Sequence, residues 1–182
     1  GNVIKPTDLV DKYGTDAVRY YLLKHGPIVE DVDISIPQFE EVYNADLAHG
    51  IGNLVSRTAK LLEKASFETN EANFDDYQIN LTKDMNDNWE SFRVDLVINE
   101  IQHHISTIDK RLEEIKPWNF FKDEEKLHSN ETNAFWQLMV DDIRRLSVLI
   151  KPIMPEIATK IQEQFAGTIF KSAEGLFPRL EK

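Results

Sequence analysis

The run Tyr43-Asn44-Ala45-Asp46-Leu47-Ala48-His49-Gly50-Ile51-Gly52-Asn53-Leu54-Val55-Ser56-Arg57-Thr58 decides the fold class. At about 100° per residue it places Leu47, Ile51, Leu54, Thr58, Leu61, Leu62 and Ala65 on one face, with Asn53, Arg57, Lys60 and Lys64 on a stripe beside it. The spacing predicts an amphipathic helix that buries one side and keeps a separate amide and cationic side. An amide and a guanidinium at i and i+4 can address a base edge or a phosphate together. Asn53 and Arg57 are therefore candidate binding residues.

Downstream the signals stay helical. Glu68 to Asp76 reads as a polar loop. A second long helix is expected from between Leu81 and Asp84 to about Ile115, with Val94, Val97, Ile98, Ile101, Ile105, Ile108, Leu112 and Ile115 on one side. It ends before Pro117, because a residue preceding proline avoids the helical region. A third, from about Thr132 to Ile150, carries Phe135, Leu138, Met139, Ile143, Leu146 and Ile150 and is closed by Pro152. Pro155 suits the first turn of a fourth, which runs through about Phe165. Four or five such helices can share one core.

Upstream, residues 1 to about 43 read differently. Asn2-Val3-Ile4 has the character of a short strand. Pro6 to Tyr13 forms a helix ended by Gly14, and Thr15 starts another that Gly26-Pro27 stops. Asp31-Val32-Asp33-Ile34-Ser35 alternates like a second strand before Ile36-Pro37 opens the long helix. The expected fold is thus mainly α: a helical bundle at residues 44–182 preceded by a small β-α-α-β-α unit at residues 1–43.

Composition narrows the function classes. The chain has 182 residues, 41% hydrophobic, with 7 Gly, 7 Pro and no Cys, enough for one sizeable core. It lacks an apolar run long enough for a bilayer or a secretion signal, which makes a soluble protein the expectation. The absence of Cys excludes disulfides, thiolate metal sites and Cys nucleophiles and is compatible with a reducing cytosol. A net charge of −11 argues against generic phosphate binding, so any nucleic-acid site must be local and geometric.

Trp89 is the second candidate. On the wheel of its helix it lies about 120° from the stripe centred on Ile101, in line with Arg93, Glu100 and Arg111. An indole there can stack on an unpaired base; the alternative, a tryptophan covered by the neighbouring loop, stays open on the residues alone. Trp118 and Trp136 are assigned to the core. No catalytic constellation emerges. Adjacent His103 and His104 point about 100° apart on a helix, and Glu100 with His104 lacks further ligands, so no metal site is expected. His25, His49 and His128 have no nucleophile beside them, and the glycines form neither a P-loop nor a dinucleotide fingerprint. Asp75-Asp76 and Glu124-Glu125 read as solvated loop charge.

Several motifs together carry a family resemblance. They are Gly1-Asn2-Val3-Ile4, Asp8 to Leu23 with its Tyr13-Gly14-Thr15-Asp16-Ala17-Val18-Arg19-Tyr20-Tyr21-Leu22 core, Asn44-Ala45-Asp46-Leu47-Ala48 with Gly52-Asn53-Leu54, Lys116-Pro117-Trp118, Lys151 to Glu156, and Leu176-Phe177-Pro178-Arg179. In this set the chain resembles the methionyl-tRNA synthetases, class I aminoacyl-tRNA synthetases, over nearly its whole length. The resemblance implies that residues 1–43 are the family's stem-contact connective unit and residues 44–182 its anticodon-binding domain. It also implies that Asn53, Arg57 and Trp89 contact the anticodon of a methionine tRNA, with Lys60, Lys64 and Arg93 at phosphates.

The chain begins where the family's K-M-S-K-S loop would end. The resemblance therefore implies a catalytic Rossmann domain preceding it in the same chain, where ATP with magnesium would be used. This part alone would hold no cofactor and be inactive, and the parent would be a cytoplasmic methionine–tRNA ligase. Asp109 and Arg111 depart from the pattern, which often has Asn and Tyr there. Alternatives are the corresponding part of a leucyl-, valyl-, isoleucyl- or cysteinyl-tRNA synthetase, or a helical protein-interaction module.

Overall fold

The computed structural model describes residues 4–26, 33–77 and 82–180, and their regular structure is helical. Helices α1 (Pro6–Tyr13) and α2 (Thr15–His25) form a hairpin around Gly14. The backbone there sits at φ 87°, ψ 154°, close to a region open essentially to glycine alone. Ser35 Oγ accepts the Gln38 N–H to cap α3 (Ile36–Val42), with Pro37 in its first turn. The helical rod then continues through a π-helical segment (Tyr43–Gly52) into α4 (Asn53–Ala65).

The rod is less regular than the wheel implied. Gly50 leaves the helical region at φ −78°, ψ −106°, and at Gly52 a Cβ would lie 2.8 Å from the Leu47 carbonyl oxygen. Glycine admits a contact that any side chain would block. Leu47, Ile51, Leu54, Thr58, Leu62 and Ala65 are nonetheless buried as expected.

The second long helix is in fact two: α5 (Lys83–Glu90), capped by Thr82, and α6 (Val94–Ile115). Between them Phe92 takes a left-handed φ of 59°. The Phe92 N–H bonds back to Trp89 O and the Arg93 N–H to Asn88 O, the pairing of a Schellman ending. Ser66 and Lys116 end α4 and α6 with left-handed residues too. After the Pro117–Lys122 3₁₀ turn and the short α7 (Glu124–Leu127) come α8 (Asn130–Ile150) and α9 (Pro155–Phe165), a packed pair with Pro152 in the turn between them and Pro155 opening α9.

Among the described residues no strand forms; the one β-type contact is an isolated antiparallel bridge between Glu68 and Ile169. The strand expected at residues 2–4 lies outside the described residues except for Ile4, and that at residues 31–35 except for Asp33, Ile34 and Ser35, none of which is in a strand. Two inward assignments also change. Ile115 is 47% exposed because the inward stripe of α6 ends at Leu112, and Leu138 is 39% exposed because α8 turns Trp136, Met139, Val140 and Ile143 inward.

One apolar core runs from Leu9 to Phe177, and polar clamps fix its layers. From α2, buried Asp16 accepts the Ile157 N–H at 2.8 Å, at the start of α9. Arg19 donates to the carbonyls of Pro152 and Ile153 in the preceding turn. Tyr20 Oη donates to Asp46 (2.8 Å) and accepts from Gln102 (2.7 Å), tying α2 to the π segment and α6. Lys24 pairs with the same Asp46 oxygen at 2.6 Å. On the far side, buried Arg144 donates to the carbonyls of Phe165, Asn70 and Gly167 and to Tyr77 Oη. Loop 66–77 is thereby held to the end of α9.

Candidate functional site

Helix α4 positions four of the six candidates. Asn53, Arg57, Lys60 and Lys64 recur every three or four residues along one side of the helix, next to the buried face. Asn53 is half-buried, Lys60 and Lys64 are exposed, and the Lys64 ammonium lies 4.4 Å from the Phe121 ring centroid. Asn53 is without a side-chain hydrogen bond among the described residues, so its amide edge is available to a ligand.

Arg57 is the most constrained of the four. Its Nη1 reaches Glu113 Oε1 at 2.6 Å and Asp109 Oδ1 at 3.5 Å, both one turn apart on α6. The central carbon of the guanidinium lies over the Trp118 ring, 4.9 Å from its centroid. Trp118 is therefore not a core residue, as the sequence suggested. Lys116 ends α6 in a left-handed turn, Pro117 is buried behind it, and the next indole swings under the arginine, half-buried. Trp136, by contrast, is core, at 1% exposure. The departures at positions 109 and 111 acquire partners here: Asp109 faces Arg57, and Arg111 pairs with Asp142 of α8.

Trp89 and Arg93 belong to a second place, the α5–α6 turn. Trp89 ends α5 half-buried against the core margin, between the two alternatives its sequence left open. Its expected angle on a continuous wheel does not apply, because the helix breaks three residues later. Arg93 forms a two-pronged pair with Asp95 at 2.9 and 2.7 Å. The fork holds the Asp95 carboxyl below the usual range and occupies the Arg93 donors that were expected at a phosphate. Phe92, beside them, is 80% exposed. No hydrogen bond, ion pair or ring contact links Trp89 with Asn53 or Arg57 among the described residues.

Among the described residues no group of three or more His, Asp or Glu could hold a metal ion, and no helix is long and apolar enough to cross a membrane. The groove between α5 and α6 collects Asp84, Asp87, Glu100, His103 and His104 around about 790 Å³. Glu100 there is already bonded to Thr82 and Asn88, which fastens α5 onto α6.

Comparison with known proteins places the chain beside one enzyme family. The methionine–tRNA ligase of Halalkalibacterium halodurans is 34% identical over 210 aligned residues, covering 100% of this chain and 32% of that protein. Over its whole length the chain is similar to methionine–tRNA ligases. The methionine–tRNA ligase of Clostridium tetani is 31% identical over 207 residues with the same coverages. A family model described as tRNA synthetases class I (M) matches residues 1–59. Free methionyl-tRNA synthetase of Mycobacterium tuberculosis superposes with a TM-score of 0.78 at 22% identity, over 99% of this chain and 42% of that one; the same enzyme bound by methionyl-adenylate also gives 0.78, at 23% identity. The chain thus spans about a third of the length of the curated methionine–tRNA ligases it matches.

Proposed function

We propose that this chain is the tRNA-reading part of a methionine–tRNA ligase and that its bundle recognises the anticodon of methionine tRNA. The observation that carries the reading is the polar stripe of α4: an open Asn53 amide one turn from an Arg57 guanidinium seated over the Trp118 ring, in a chain similar throughout to methionine–tRNA ligases. Unpaired bases are read by stacking and by hydrogen bonds to their edges. Asn53 and Arg57 supply the donors and acceptors, and Trp89 supplies a half-exposed indole for stacking. Lys60 and Lys64 approach phosphate; Arg93 does so only by leaving Asp95.

The whole enzyme would join methionine to its tRNA with ATP and magnesium in a Rossmann domain of the same chain, in the cytoplasm. Residues 1–43 would contact the tRNA stem and residues 44–182 the anticodon. The acidic surface leaves affinity dependent on a few contacts, so binding should be modest and salt-sensitive. The test is titration of this chain with methionine tRNA and with the same transcript carrying an exchanged anticodon. Tighter binding of the first, lost in Arg57→Ala, is the expected result. Equal binding of the two transcripts would sink the reading.

A further inference from the structure

The two carboxylates gathered on Arg57 have a consequence for what that arginine can bind. Asp109 and Glu113 both meet Nη1, while Nε and Nη2 have no partner among the described residues. Their side chains are 42% and 55% exposed, so the pairs add little to stability. Their larger effect falls on an approaching ligand. One cation between two anions is a net negative constellation that repels phosphate at contact range, where interactions between charges are strongest. A neutral base edge meets no such repulsion and still finds the free N–H donors, on a guanidinium seated over the Trp118 ring.

We propose that Asp109 and Glu113 determine specificity: with Trp118 they position Arg57 as a donor to a neutral nucleobase edge and deny it to phosphate. The inference rests on the anticodon reading. Three elements converge to make the device, α4 with Arg57, α6 with the carboxylates, and the 3₁₀ turn with Trp118. Lys60, one turn further along α4 and without a carboxylate partner among the described residues, is left for the backbone. The separation of tasks matches the general division in which phosphate contacts position a protein and base contacts specify it.

The experiment compares the 182-residue chain with its Asp109→Asn/Glu113→Gln variant, titrating cognate and anticodon-exchanged methionine tRNA across a salt series. The variant should bind the exchanged transcript several-fold more tightly. Its discrimination should fall by roughly tenfold, and its log affinity should decline more steeply with log salt by about 0.7–0.9, the signature of one added phosphate contact on single-stranded RNA or a duplex. Trp118→Ala should weaken cognate binding, with rescue by Trp118→Phe, which restores an aromatic plane. If the wild-type chain discriminates and the variant does so equally with an unchanged salt slope, the inference fails while the anticodon reading stands. Parallel weakening of both RNAs would likewise overturn it, since that is the mark of a merely structural pair. Absence of discrimination in the wild-type chain removes both. Glu113→Gln alone, at the more exposed position, serves should the double variant not fold, and should show the same directions at smaller amplitude.

Discussion

Phe92 bears two local costs. It is 80% exposed, and it occupies the left-handed position of the Schellman ending of α5, where glycine is favoured and a larger residue is strained by about 1 kcal/mol or more. Phe92→Gly should therefore raise stability by roughly 0.5–1 kcal/mol, part of the relieved strain being offset by the greater freedom of glycine in the unfolded chain. A lower urea midpoint would instead show that the ring's contacts outweigh its strain. Trp89, three residues earlier, is half-buried against the core. Its truncation to Ala should cost about 1–2 kcal/mol, between the near-zero effect of a surface change and the roughly 3–5 kcal/mol of a core aromatic. Under the proposed function the same variant should also lose about 1–3 kcal/mol of tRNA binding. Melts and titrations on one protein separate the two effects, and unchanged affinity per folded molecule would remove Trp89 from the interface.

At the level of elements, the π segment and the N-terminus of α9 each depend on one residue. Gly52→Ala would drive a methyl group to 2.8 Å from the Leu47 carbonyl oxygen and 3.6 Å from the Phe177 ring, so a cost of about 1–3 kcal/mol is expected in chemical denaturation. Asp16 joins α2 to α9 by accepting the Ile157 N–H, but burial pushes its carboxyl above the ordinary value of 3.8. Between that value and the raised one, the folded state binds a proton that the unfolded chain has released. This group's contribution to stability therefore falls as pH rises through the window. Asp95 has the opposite sign: its lowered value means stability present above 3.8 and lost as pH falls through the folded value. Asp16→Asn should remove the loss above 3.8 and leave the acid loss below it, read as melting temperature against pH. An unchanged profile above 3.8 would show that Asp16 does not titrate differently on folding.

For the whole molecule, segments far apart in sequence close on one another. Phe177 packs edge-on to Tyr43 at 5.8 Å, Asn44 exchanges hydrogen bonds with the backbone of Leu180, and both contacts lie across the π segment. Phe177→Ala should cost about 2–4 kcal/mol and speed hydrogen exchange at residues 43–52 first; loss of protection confined to residues near 177 would contradict this coupling. Helix content was legible from sequence because it rests on local signals: apolar spacing along α4, α6, α8 and α9, the stops at Gly14, Gly26 and Pro152, and the proline start at 155. The stripe of Asn53, Arg57, Lys60 and Lys64 was legible for the same reason, since positions on one helix face follow from its pitch. The break at residues 91–93 was not, because it contains neither Gly nor Pro and its Schellman ending rests on Phe92, a residue type that rarely adopts the left-handed conformation. Nor was the place of Trp118, which depends on where the left-handed turn at Lys116 sends the chain. The partners of Arg57 lie 52 and 56 residues away on another helix. Local periodicity thus determined the helices and which side chains each presents, while tertiary packing alone decided which of those charges and rings meet, because such contacts depend on the angles and offsets between helices that no single segment encodes.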